Sequence, residues 1–151
     1  MQMTRAADYA VRVMIHLAGL PPATCVTHGD LAAAVDCPRQ FLAKVLQRMS
    51  RARLIVSRRG NIGGFELPED RRQATMLEII EAMEGPVALN LCLESASACG
   101  RQPSCPAHLV WAQAQAALVA VLRSATIEEL AAEAESIRQT REKLGGIAKW
   151  T

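Results

Sequence analysis

Between Cys92 and His108 the chain reads CLESASACGRQPSCPAH, three cysteines and a histidine spaced C-x6-C-x5-C-x2-H. The Gly, Pro, Ser and Gln residues between them cannot build a core, so this segment is a loop and the chain must fold on either side of it. Soft thiolates with an imidazole suit zinc or an iron–sulfur cluster. Structural zinc sites usually bring two ligands together at C-x2–4-C, and two wide gaps in succession argue against a zinc knuckle. Wide gaps suit a bulkier cluster around which a loop can wrap, with cysteines as the usual ligands and histidine able to replace one of them. Zinc or a thiol redox switch is the alternative. Cys25 and Cys37, outside the loop, read as small buried hydrophobes.

Charge divides the chain at about the same place. Up to Thr75 eleven Lys/Arg stand against six Asp/Glu, a net of +5; from Met76 onward six stand against nine, a net of −3. A basic first half and an acidic second half point to a polyanion partner for the first half only. No basic n-region precedes an uninterrupted apolar run at the N-terminus, and Arg12 and His16 interrupt the only candidate. No stretch has the length of apolar sequence needed to span a bilayer, so no membrane partner is expected. The expected location is cytoplasmic, where structural disulfides are rare, and five cysteines fit a disulfide framework poorly.

Hydrophobic spacing orders the rest. Ala6, Ala10, Val13, Met14 and Leu17 share one helical face over Thr4 to Ala18, with Gly19 and Pro21-Pro22 ending the helix. Asp8, Arg12 and His16 form a separate stripe, read as a solvated face with an Asp–Arg ion pair or, alternatively, as one that offers Asp8 to a partner subunit. Thr27, followed by Asp30, caps a short second helix that buries Leu31 and Val35. Pro38 then sits where an N1 proline belongs and opens a third helix running to about Arg51. Its inner face is Phe41, Leu42, Val45, Leu46 and Met49, and its outer face presents Arg39, Gln40, Lys44, Gln47 and Arg48. Two short helices, the second apolar inside and basic outside, make a helix-turn-helix over about 27–51.

From Arg39 to Arg59 there are seven Lys/Arg and no Asp or Glu, which points to phosphate contact. Arg39, Gln40 and Lys44 lie at the end of the helix that enters a major groove, where Arg and Lys reach guanine and Gln reaches adenine. Leu54 to Leu67 reads as a hairpin around a Gly-rich turn. Appended to a helix-turn-helix it is a wing, with Arg58, Arg59 and Gly60 placed for a minor groove, and Gly63 and Gly64 letting the tip approach another surface. A fourth helix starts at Ala74 or Thr75, with Leu77, Ile80 and Met83 inward, and stops before Gly85-Pro86. Beyond the loop, Pro106 to Arg123 carries a seam of Leu109, Ala112, Ala116 and Val119, small enough for close approach of another helix. A capping box from Thr126 to Glu129 opens a last helix through Leu130, Ala134 and Ile137 toward Leu144, ended by Gly145-Gly146; Trp150 has no assigned role.

The N-terminal M-x-M-T-x-x-x-D-Y-A-V-R, the helix-turn-helix, the R-R-G-N-I-G-G wing and the three-cysteine loop together resemble the Rrf-type winged-helix repressors, the group that includes IscR, NsrR and RirA. The resemblance extends to about residue 131. It implies a cluster-binding homodimer in which Cys92, Cys99 and Cys105 match the three cysteine ligands. His108 looks like the histidine ligand of the IscR branch, which holds a 2Fe–2S cluster. Asp8 matches the position from which the NsrR branch supplies a carboxylate of the other subunit to a 4Fe–4S cluster. The Cys-x-x-His pair favours the first. Two departures are a first gap of six residues, where about five is usual, and a longer, more charged final helix.

The expectation is therefore a mainly α protein. Residues 1–84 form a winged helix-turn-helix, 85–108 a cluster-binding loop, and 106–151 a helical dimerisation region. It would act as a transcriptional regulator, binding double-stranded DNA under control of an iron–sulfur cluster. A zinc or thiol-switch regulator, or a redox or cluster-carrier protein with no DNA role, is the alternative. Catalysis has no support, since no nucleophile–base pair or cofactor fingerprint is present.

Overall fold

A computed structural model describes residues 3–60, 63–95 and 97–143. The wing tip Asn61-Ile62, the expected helix end at Leu144 with Gly145-Gly146, and Trp150 lie outside the described residues.

The first helix, α1 (Arg5–Ala18), is the axis of the fold. Thr4 caps it, its hydroxyl accepting from the Ala7 amide at 3.3 Å. Ala7, Ala10, Val11, Val13, Met14, Leu17 and Ala18 are buried, a wide apolar stripe that lets other helices pack on two sides of α1. α2 (His28–Ala34) starts at Thr27, whose hydroxyl accepts from the Asp30 amide at 3.2 Å. α3 (Arg39–Arg51) follows Pro38 and buries Leu42, Val45, Leu46 and Met49. Phe41 departs from the expected inner face. It is 37% exposed, one step round the helix from the buried stripe, and stands edge-on to the Tyr9 ring, centroids 5.7 Å apart.

Two strands, β1 (Val56–Arg58) and β2 (Gly64–Glu66), form the antiparallel wing, with Ser57 opposite Phe65. Val26 adds a bridge on the far side of β2, exchanging amide–carbonyl bonds of 2.9 and 2.8 Å with Phe65. A Cβ on Gly64 would lie 2.3 Å from the Val26 carbonyl oxygen, so only glycine fits there. The surface that Gly64 approaches is thus the chain's own backbone.

α4 (Met76–Glu84) carries a complete capping box between Thr75 and Glu78 and buries Leu77, Ile79, Ile80 and Met83 against α1. After the cysteine loop come α5 (Pro106–Ser124) and α6 (Ile127–Lys143). Thr126 and Glu129 form the expected reciprocal cap, with bonds of 3.2 and 3.3 Å. α6 returns to α1, burying Ile127 and Ala131. The starts of α4 and α6 are joined: the Met76 amide donates to the Ala125 carbonyl and the Ile127 amide to the Ala74 carbonyl, both at 2.9 Å.

The seam expected on α5 is only half covered. No residue of α5 is buried, Ala112 and Val119 are partly covered, and Leu109, Val110 and Val121 stand about two-thirds exposed. The architecture is that of a mainly helical winged helix-turn-helix. Among the described residues no helix is long and apolar enough to cross a membrane.

Candidate DNA-binding face and cysteine loop

The buried stripe of α3 fixes which residues face outward. Arg39, Gln40, Lys44 and Gln47 are all exposed. Arg39 lies across Gly29 of α2, where an added Cβ would come within 2.7 Å of its guanidinium, and its carbonyl accepts from His28 Nε2 at 3.0 Å. The two helices are thereby locked at the end of α3 that the sequence assigns to the groove. Arg48, of the same basic run, is also exposed, and it donates through Nη2 to the Met83 carbonyl at the end of α4.

In the wing the two arginines are treated differently. Arg58 donates to Glu66 through two nitrogens, at 2.8 and 3.4 Å. That hydrogen bond holds the Glu66 carboxyl below the usual carboxylate range. Arg59 is exposed and has no hydrogen bond or ion pair among the described residues. Gly60, at φ +138°, takes a backbone conformation that side chains resist, and its carbonyl accepts from the Gly63 amide at 3.0 Å.

The cysteine loop is a series of short turns. Cys92 lies in a turn over Leu91–Leu93, opened by Asn90, whose side-chain oxygen accepts from the Leu91 amide at 2.8 Å. Upstream, the Leu89 amide donates to Gln115 of α5 at 3.0 Å. The Cys99 carbonyl accepts from Gln102, which begins a second turn over Gln102–Ser104. Cys105 then caps α5 without using its sulfur, and Pro106 is the first helical residue. Cys92, Cys99 and Cys105 are free and partly exposed. His108, on the first turn of α5, has a buried Nδ1 with no partner, while its Nε2 lies 3.4 Å from Gln102 Nε2. Cys105 and His108 line one open groove.

The remaining ligands do not join them. Among the described residues no three of His, Cys, Asp and Glu are gathered where one metal ion could hold them. Asp8, the alternative fourth ligand, pairs with Arg12 at 2.8 Å, the solvated ion pair that its spacing allowed, and Arg12 lies over the Tyr9 ring. His16 on the same stripe is half-buried, and burial lowers its pKa from 6.5. Cys37 is buried, and burial pushes its thiol up, whereas Cys25 is only partly covered.

One functional anchor gave no signal in the sequence. Arg72 is 9% exposed and donates to the carbonyls of Ala18 and Leu20 at 2.8 and 2.9 Å, closing the end of α1. It stands beside Arg71 in a polar run, and nothing in that run tells which of the two turns inward.

Comparison with known proteins agrees with this architecture. Residues 3–133 match the family described as Rrf2, iron-dependent transcriptional regulator. A Mycobacterium tuberculosis protein carrying the name HTH-type transcriptional regulator Rv1287 is 32% identical over 131 residues, covering 87% of this chain and 81% of that protein. The solved structure of CymR (YrzC), the global cysteine regulator of B. subtilis, superposes with a TM-score of 0.71 at 25% identity, covering 88% of this chain and 98% of that one. T. potens IscR superposes with a TM-score of 0.62 at 22% identity, over 99% of this chain and 94% of that one, a likeness of fold. Members of this family are transcriptional regulators that bind DNA and are not enzymes. The family match spans the winged helix-turn-helix, the cysteine loop, α5 and the start of α6: this chain belongs to the Rrf2 family of transcriptional regulators.

Proposed function

We propose that the protein is a cytoplasmic, homodimeric repressor whose operator affinity is set by the state of the cysteine loop. Arg39, Gln40 and Lys44 of α3 read a major groove, and Arg58, Arg59 and Gly60 place the wing in a minor groove. The uncovered side of α5, with Leu109, Val110 and Val121, is the dimerisation surface. One observation carries the link between loop and function. Cys105 caps that same helix and His108 stands on its first turn, in one groove with the exposed Leu109, so a group held there would border the proposed dimer face.

The donor chemistry fits an iron–sulfur cluster: three free thiols and an imidazole whose buried nitrogen has no partner stand within one loop. Cys92, Cys99, Cys105 and His108 would hold it, a 2Fe–2S cluster being favoured; Asp8 of a partner subunit is the alternative to His108 and would go with 4Fe–4S. When bound, such a cluster supplies a reducible centre that responds to iron supply and oxidants. Cys105 and His108 stand at the start of α5, so a cluster held there acts on that helix.

A second reading has its own support. Free, partly exposed thiols and the likeness to a cysteine regulator support a switch in which an oxidant joins two loop thiols as a disulfide. Anaerobic purification with a visible spectrum and iron, sulfide and zinc analysis separates the two. A brown protein with about two irons and two sulfides per subunit supports the His108 set, and about four of each the Asp8 set. A colourless protein that loses two titratable thiols on mild oxidation supports the switch. Stoichiometric zinc in a colourless protein overturns both.

A further inference from the structure

The sequence puts Arg48 on the outward basic face of α3; in the fold the residue is exposed there, and its guanidinium also donates to the main-chain carbonyl of Met83. Met83 is buried in the last turn of α4, and the helix stops at Gly85, where φ is +87°. Carbonyls at a helix end lack an intrahelical donor and carry the negative end of the helix dipole, so a guanidinium is a fitting partner. The same turn is held from α1, where the Thr4 amide donates to Glu84 at 2.7 Å. Just beyond it, Gly85–Leu91 runs directly to Cys92 and is tied to α5 through Leu89 and Gln115. An open cleft lined by Ile80, Gly85, Val87 and Leu93 leaves this segment room to shift.

We propose that Arg48 is the positioning residue that couples the cysteine loop to the recognition helix. A change in the loop displaces the last turn of α4, and the bond from Arg48 to Met83 carries that displacement into α3. The proposal rests on the reading that the loop controls DNA binding. Linkage makes the coupling reciprocal, so DNA on α3 stabilises one state of the loop through the same contact.

The test is a double-mutant cycle read by fluorescence anisotropy. The probe is a duplex selected from a random-sequence pool by the anaerobically purified wild-type protein. The four chains are wild type, Cys99→Ser, Arg48→Ala and the double variant. The wild type and Cys99→Ser are expected to differ by about 5- to 150-fold, the usual range for coupled sites. In the Arg48→Ala background that ratio should fall to within about twofold of unity. Equal affinity of wild type and Cys99→Ser overturns the loop-control reading, and this proposal with it. A ratio kept intact without Arg48 overturns this proposal alone. So does a uniform loss in both loop states with a salt slope smaller by about one, which marks Arg48 as a phosphate contact.

Arg48→Met keeps the aliphatic stem and replaces the alanine variant if that one does not fold. Hydrogen exchange gives a reading with Arg48 in place. The Ala52 amide, bonded to the Arg48 carbonyl at 2.9 Å, and the Gly85 amide, bonded to Glu81 at 2.8 Å, should change protection together between wild type and Cys99→Ser. A change at Gly85 with none at Ala52 overturns the coupling.

Discussion

Arg58 and Arg59 are adjacent, but Glu66 holds only the first across the wing. An arginine already bound to a carboxylate must exchange partners to reach DNA, whereas an unpaired one need not. Arg59→Ala is therefore expected to weaken DNA binding by about 1–3 kcal/mol, with unchanged metal content; anisotropy titrations and iron analysis check it. Arg58→Ala should cost less affinity, because the guanidinium it removes is already engaged by Glu66. His16 gives a pH signature. Burial lowers its pKa from 6.5, so the unfolded chain binds more protons near that value, and folding stability falls as pH drops from about 6.5 through the lowered pKa. His16→Gln should flatten that decline in urea midpoints measured between about pH 7 and 5; an unchanged slope would assign the acid limb to other groups. At this scale the sequence was legible where spacing fixes a face, as with Leu42, Val45 and Leu46. It was not where a long side chain chooses between solvent and a carbonyl far along the chain, as with Arg48 and Arg72, since arginine reaches either from the same backbone position.

Among the elements, helix starts were readable because their chemistry is local. Thr4, Thr27, Thr75 and Thr126 each use a hydroxyl within three residues, so the residue type alone carries the information. Thr75→Ala should lower stability by about 1 kcal/mol in urea unfolding. Arg72→Met should cost more, about 2–4 kcal/mol, because the Ala18 and Leu20 carbonyls at the end of α1 would lose a charged donor. Phe41 was misplaced for a reason particular to α3: a hydrophobic residue at the rim of a buried stripe fits the period but stays 37% exposed beside Tyr9. The donor types in the cysteine loop were legible in the sequence. Their convergence was not, because the turns of the loop are fixed by Asn90, Gln102 and Gln115, whose bonds no spacing rule contains.

For the whole molecule, the incomplete burial of α5 is the feature that carries the proposed dimer. Val121 and Leu109 lie on a helix with no buried residue, at exposures unusual for long apolar side chains grouped on one element. Val121→Asp should shift the protein from dimer to monomer in sedimentation velocity, and a monomer should lose most affinity for a two-half-site duplex. The bonds joining the starts of α4 and α6 bear on how such a protein changes over evolutionary time. The chain enters α4 and leaves α5 at one doorway, with α4 packed on α1 and the cysteine loop lying between α4 and α5. A loop of another length or chemistry can be exchanged behind that doorway while α1 and α6 keep their alignment. Descendants of such a chain can vary that loop without relearning how to hold DNA.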